Sequence, residues 1–113
     1  MSMTIQKLII DSHKTSTSKG WWENPDRNIG ELLALIHSEI SEALEVYREQ
    51  GKDGLKKTWT EDGKPEGFTI ELADAVIRIA DLCGALGLEL EEALETKMEY
   101  NRSRPRRHGG KVA

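Results

Sequence analysis

Apolar side chains recur at helical spacing between residues 28 and 50, and this periodicity predicts a long α-helix with one buried face. Asn28, followed by Glu31 three residues later, resembles a capping box and predicts where the helix begins. Gly51 predicts where it ends. The apolar stripe of this predicted second helix consists of Leu32, Leu35, Ile36, Ala43, Val46 and Tyr47.

Three further segments also favour helices. Residues 4 to 18 carry one apolar face and end before Lys19-Gly20, and a third helix is predicted from about Thr69 to Leu86, where Gly87 stops it. A fourth begins near Glu89, with acidic residues in its first turn, and ends by about Arg104 because Pro105 follows. Residues 51 to 67, rich in glycine and charge, predict a long loop. The expected fold is all-α, with four helices.

A chain of 113 residues is expected to form one domain over 1–113, and its small size favours oligomerisation. We therefore expect a short four-helix chain whose bundle is completed by a homodimer or homotetramer.

Cys83 is the one cysteine, so neither an intramolecular disulfide nor a cysteine-based zinc site is available. Without an apolar run long enough for a signal peptide or a membrane span, a soluble cytoplasmic protein is the expectation.

The charge is unevenly distributed along the chain. Residues 97 to 113 carry six basic side chains against Glu99 alone, a net charge of +5, whereas the upstream residues carry ten basic and nineteen acidic side chains, a net charge of −9. An acidic body with a basic tail, here residues 102–113, suits an anionic ligand that is carried with a metal cation. A solvated tail without a ligand is the alternative.

Two pairs of carboxylates stand out against this background. Glu39 falls in the middle of the apolar stripe of the second helix, with Glu42 one turn further on, and a charge in that position needs a cation or a proton. Glu71 and Asp74 form a matching pair on the third helix, although the polar strip they share with Arg78 and Asp81 is also compatible with a solvated face.

Two such pairs on antiparallel helices can bring four carboxylates to one point. At about 5 Å and an effective dielectric near 20, each like-charge contact costs roughly 3 kcal/mol, so the cluster is expected to take up protons or a divalent cation. Oxygen ligands favour Mg²⁺, Mn²⁺ or Ca²⁺ over zinc, and the absence of an ExxH sequence argues against a ferritin-like di-iron site.

The order Glu39-x-x-Glu42 and Glu71-x-x-Asp74 resembles the ExxE…ExxD signature of the MazG-like all-α nucleoside triphosphate pyrophosphohydrolases. The surrounding sequences, residues 37–43 and 71–74, are similar to that family as well, and the resemblance runs from about Gly20 to Lys111. It implies an enzyme that hydrolyses a (d)NTP to (d)NMP and pyrophosphate, with these four carboxylates as metal ligands and catalytic groups for Mg²⁺, or Mn²⁺ as a substitute. Ser38 stands where many members have a further glutamate, so one or two metals per site remain open.

Cations near the end of the chain suggest where the phosphates bind. Lys97, Asn101 and Arg104 continue the apolar stripe of the fourth helix, and such side chains can bind phosphate oxygens. The stretch 97–105 with 108–111 is similar to the family's C-terminal segment, which implies contacts with the triphosphate. The alternative is a helix end whose cations complement the helix dipole.

Trp21 and Trp22 lie in the connection between the first two helices and could stack on a nucleobase or cap the core. Cys83 is expected to be a packing residue, and the three histidines show no ligand spacing.

Three alternative functions stay open. They are a dUTP- or dCTP-selective enzyme, a phosphoribosyl-ATP pyrophosphohydrolase, and a non-catalytic helical dimer that binds nucleic acid through its basic tail, the last being the least favoured.

Overall fold

A computed structural model of the chain describes residues 2–105, and this part contains four α-helices: α1 (Ile5–Ser18), α2 (Ile29–Gln50), α3 (Phe68–Leu86) and α4 (Leu90–Ser103). Each predicted helix is confirmed to within about one residue at either end. The side chain of Asn28 accepts a hydrogen bond from the backbone N–H of Glu31, as the capping signal predicts. Gly87 ends α3 in the left-handed conformation that glycine adopts without strain.

The helices pack around α3, which lies against both α1 and α2. Ile9 of α1 and Ala80 and Cys83 of α3 form a small core, with Leu90 of α4 at its edge, so Cys83 is a packing residue as predicted. Gly84 permits this close approach, because a Cβ atom there would come within 2.7 Å of the His13 side chain. The contact between α1 and α3 fixes one wall of the site described below.

Residues 51–67 are not simply the loop that the sequence predicts. They contain a 3₁₀ turn (Lys52–Gly54) and a two-stranded antiparallel hairpin of β1 (Trp59–Glu61) and β2 (Lys64–Glu66). Asp62 and Gly63 both have positive φ at the tip, as the residues of a type I′ hairpin turn do. Contacts between β2 and α3 hold the hairpin against the bundle.

Much apolar surface remains uncovered in the single chain. Along α2, one stripe of large side chains is exposed, and Tyr47, predicted to be in the core, is part of it. A second exposed stripe lies on α3, and α4 has no buried residue. The two stripes consist of Leu33, Ile40, Leu44 and Tyr47 on α2 and Leu72, Val76 and Ile79 on α3. Within residues 2–105, α2 and α3 therefore each leave an apolar stripe uncovered. No helix in this range is both long and apolar enough to cross a bilayer.

Candidate metal centre and the adjoining cavity

Three carboxylates from two helices meet at one point. Glu39 and Glu42 project from α2 and Glu71 from α3, and one oxygen of each lies within 4.8 Å of the others. Glu39 and Glu71 are buried, with 8% and 6% of their surface exposed, whereas Glu42 is exposed. The expected convergence of the two carboxylate pairs is therefore observed for three of the four side chains.

Asp74, the fourth predicted ligand, lies outside this group of three. It lines the same cavity and is close enough to Glu39 for the two negative charges to interact. Burial and the charge of Glu39 raise the pKa of Asp74, while the nearby cations Lys64 and Arg78 oppose that shift. Asp74 is thus a neighbour of the three-carboxylate cluster.

The cluster holds its charge at an energetic cost. Burial, followed by a hydrogen bond and charge repulsion from Glu42, raises the pKa of Glu71 to about 7. A carboxylic acid with that pKa is about half protonated at neutral pH when no cation is bound. The raised pKa has the direction expected of clustered carboxylates.

Arg78 provides the positive charge closest to Glu39. Its Nε atom donates a hydrogen bond to Glu39 Oε1 at 2.8 Å, and 37% of its side chain is exposed. Arg78 lies one helical turn beyond Asp74 on α3, which explains how a single helix presents both acids and their counter-ion. The polar strip of α3 is therefore partly buried at the site and does not simply face water.

The hairpin adds a second cation. Lys64, the first residue of β2, lines the cavity, and its Nζ atom lies 3.6 Å from Glu66 Oε1. The carboxylate of Glu66 raises the pKa of Lys64, with smaller contributions from Glu71 and Glu42. An ammonium group therefore stands beside the carboxylate cluster, on a segment that the sequence interpretation left as a loop.

A cavity of about 720 Å³ extends from the carboxylates along α3 towards the connection between α1 and α2. Small-molecule sites in proteins commonly have volumes of roughly 300–1,000 Å³. Cations line both ends of this cavity. Lys64 and Arg78 stand near the carboxylates, and Lys19 and Arg27 stand near the tryptophans.

The far end of the cavity is built around Asp81. Its carboxylate accepts hydrogen bonds from Trp22 Nε1 at 2.9 and 3.1 Å and lies 2.9 Å from His13 Nδ1. The guanidinium of Arg27 lies over both indole rings, 5.3 Å from the centre of Trp22 and 5.9 Å from that of Trp21. Both tryptophans line the cavity, and Trp21 is the more exposed. His13, for which no role was predicted, is a partner of Asp81.

The side chains of α4 that were predicted to bind phosphate do not line the cavity in the single chain. Lys97 and Asn101 are exposed and Arg104 is half-buried, and the side chains that line the cavity do not include them. Lys97 and Arg104 instead lie over the ring of Tyr100, at 4.8 and 5.3 Å. Residues 106–113, which complete the basic tail, lie outside the described residues, and the contact predicted between this segment and phosphate stays a prediction.

Lys64, Arg78, Asp81 and His13 were not predicted as residues of the site, and for the polar strip that carries Arg78 and Asp81 a solvated face stayed open. A signal was available for two of them, since Arg78 and Asp81 continue the helical spacing from Glu71 and Asp74. Lys64 follows the turn-forming pair Asp62-Gly63, which is a hairpin signal. Nothing local identifies His13, because its partner lies 68 residues away.

The donor set fits a hard divalent cation. Three carboxylate groups supply oxygen ligands only, two of them are buried, and one, Glu71, has a pKa that is raised by burial and by its neighbours. Mg²⁺ and Mn²⁺ prefer such oxygens, and a cation would relieve the repulsion that now favours protonation.

Comparison of the chain with family models, with curated proteins and with solved structures finds no match.

Proposed function

We propose that this protein is a metal-dependent nucleoside triphosphate pyrophosphohydrolase that converts a (d)NTP to (d)NMP and pyrophosphate. The observation that carries the proposal is the convergence of Glu39, Glu42 and Glu71, of which the first two line one end of a cavity that has aromatic side chains at the other. A nucleotide has this polarity, with an anionic chain at one end and a planar base at the other. The resemblance of the two acidic pairs to the MazG-like signature points to the same reaction.

In this proposal the three-carboxylate cluster holds Mg²⁺, or Mn²⁺ in its place. When bound, the cation neutralises the triphosphate and stabilises the charge that develops as pyrophosphate leaves. Trp21 and Trp22 provide aromatic faces for the base, which is one of the two roles that the sequence left open for them. Arg27, stacked on both rings, orders this surface.

Asp74 is our candidate for the group that orients or deprotonates the water attacking the α-phosphorus. It lies outside the group of three but lines the cavity, and burial gives it a raised pKa that makes it a stronger base. Asp74→Asn should therefore keep Mg²⁺ affinity within about twofold while lowering kcat by roughly 10²–10⁴-fold. Titration calorimetry and steady-state kinetics on one preparation measure both. A loss of metal binding in this variant would make Asp74 a ligand instead.

The function is tested by incubating the protein with a panel of dNTPs, NTPs and phosphoribosyl-ATP in the presence of Mg²⁺ and measuring released pyrophosphate and monophosphate. The expected result is pyrophosphate formation that stops on chelation and returns with Mg²⁺ or Mn²⁺. The panel also separates a dUTP- or dCTP-selective enzyme from a broad one. Release of orthophosphate, or full turnover after exhaustive chelation, would contradict the proposal.

The rival function, nucleic-acid binding by a non-catalytic dimer through residues 102–113, makes the opposite prediction. It requires no turnover on any nucleotide and an affinity for DNA or RNA that falls steeply with salt. Fluorescence anisotropy with labelled single and double strands at two salt concentrations would detect it.

We also propose that the protein acts as a homodimer or homotetramer in which the exposed stripes of α2 and α3 are covered. Apolar faces of this kind on neighbouring helices are what a second copy would bury in a larger bundle. The expected compartment is the cytoplasm.

A further inference from the structure

Arg78 occupies an unusual position for a structural counter-ion. Its Nε–H is bonded to Glu39, which is one of the three clustered carboxylates and is almost fully buried. Of the five N–H groups of the guanidinium, the Nε–H is the only one that is hydrogen-bonded within residues 2–105. The remaining donors are on a side chain that lines the cavity.

A cation at the cluster and the guanidinium need the same carboxylate. Glu39 has its oxygen within 4.8 Å of those of Glu42 and Glu71, so a cation bound to all three would lie close to the positive charge of Arg78. Like charges at that distance repel, and Glu39 would divide its negative charge between the cation and the guanidinium. We therefore expect metal binding to weaken the contact between Arg78 and Glu39.

A displaced guanidinium would remain in the cavity. Its planar fork binds two phosphate oxygens at once, which the ammonium of Lys64 cannot do. Lys64 lines the same cavity, so a polyphosphate beside the cluster would meet a cation from α3 and another from the hairpin. Lys97 and Arg104 do not line this cavity within the described chain.

We propose that Arg78 is an exchangeable counter-ion of the metal centre. It holds Glu39 until a divalent cation takes that carboxylate, and its guanidinium then binds the phosphate oxygens of the substrate. This inference rests on the proposed function, and it adds a substrate-binding residue together with an order of events in which metal precedes polyphosphate.

The test uses the full chain and two probes, MgCl₂ alone and inorganic pyrophosphate at saturating Mg²⁺, each followed by titration calorimetry. Arg78→Ala should bind Mg²⁺ about 2- to 10-fold more tightly than the wild type, because a competing ion pair is gone. It should bind pyrophosphate about 10- to 150-fold more weakly, because a charge-assisted contact is lost. Arg48→Ala is the matched control, since it also removes an arginine paired with a glutamate of α2 but one outside the cavity, and it should change neither constant.

Arg78→Lys keeps the charge without the fork and covers the case in which Arg78→Ala fails to fold, as judged by circular dichroism. It should keep Mg²⁺ affinity within about twofold and still bind pyrophosphate several-fold more weakly than the wild type. Unchanged pyrophosphate affinity in Arg78→Lys, or unchanged or weaker Mg²⁺ affinity in a folded Arg78→Ala, would overturn the proposal.

The two proposals fail in different ways. If the wild type binds Mg²⁺ and pyrophosphate as expected but hydrolyses no nucleotide, the proposed enzyme is wrong and the exchange at Arg78 stands. If the wild type hydrolyses nucleotides and the Arg78 variants bind both probes as the wild type does, the exchange alone is wrong. A wild type that binds no Mg²⁺ overturns both.

Discussion

Glu39 is bonded to the guanidinium of Arg78 and lies close to the carboxylates of Glu42 and Glu71. These neighbours determine the effect of a substitution at this position. Glu39→Gln keeps the shape and a hydrogen-bond acceptor for Arg78 but removes the charge that a cation needs. We expect the variant to keep its helical circular dichroism spectrum and to lose about 10- to 150-fold in Mg²⁺ affinity, with turnover falling in parallel.

Titration calorimetry on Glu39→Gln provides the measurement. Glu45→Gln is the control, because Glu45 is also on α2 and also paired with an arginine but is exposed and outside the cluster. Equal Mg²⁺ affinity in the wild type and in Glu39→Gln would contradict the proposed Mg²⁺ site.

Glu71 gives the metal-free protein a specific dependence on pH. Its pKa is about 7 in the folded protein against an ordinary value of 4.5, so the folded state binds this proton more tightly than the unfolded state. Protonation of Glu71 therefore adds on the order of 3 kcal/mol to the free energy of unfolding. This contribution is fully present below about pH 4.5 and is lost as the pH rises through about 7. In chelator, urea denaturation should show stability decreasing from pH 5 to pH 8.

Two comparisons test whether Glu71 causes this pH dependence of stability. Glu71→Gln should flatten the pH dependence because its amide does not titrate, and saturating Mg²⁺ should reduce it because the cation replaces the proton. A Glu71→Gln variant with the slope of the wild type would show that another group is responsible.

At the scale of elements, the helix boundaries could be predicted because their signals are local. Asn28, Gly51, Gly87 and Pro105 act on the residues next to them, and the structure begins or ends helices there. The hairpin was missed although Asp62-Gly63 is present, because its strands have three residues each and no apolar alternation. Contact with α3, which no local pattern encodes, holds it in place.

The same distinction holds for the site. The acidic pairs could be found because each lies within one helical turn, and their convergence followed from pairing two helices. The link from Asp81 to Trp22 and His13 could not be predicted, since it depends on how α1 and the segment after it pack across α3. The placement of Lys64 likewise depends on a hairpin that tertiary contacts stabilise.

The hairpin carries its own prediction. If Lys64 meets the polyphosphate, Lys64→Ala should lower kcat/KM by about 10-fold or more while Mg²⁺ affinity of the free protein stays equal or rises slightly. Lys56→Ala removes the same charge from an exposed position in the same connection outside the cavity and should have kinetics close to those of the wild type. Equal losses in the two variants would mean that only overall charge matters.

The whole molecule buries little for its size. Within residues 2–105, the buried apolar residues are few, and no large side chain is completely enclosed. Leu44→Glu places a charge in the exposed stripe of α2 and should convert the proposed oligomer to a monomer in sedimentation velocity. Ile10→Glu, at an exposed apolar position on α1, is the control and should leave the oligomeric state unchanged. A monomeric wild type would contradict this prediction.

Glu71, one of the three clustered carboxylates, and Asp81, which holds Trp22 at the aromatic end of the cavity, belong to one uninterrupted helix. They are ten residues apart, which at the rise of an α-helix is about 15 Å. Sliding of α1 or α2 against α3 leaves that separation unchanged. The length of α3 therefore sets the distance between the two ends of the cavity. A nucleotide that reaches the carboxylates with a shorter phosphate chain would have to draw its base away from the tryptophans. Selection for the number of phosphates is then a matter of length, and nucleoside diphosphates should be poor substrates whatever their base.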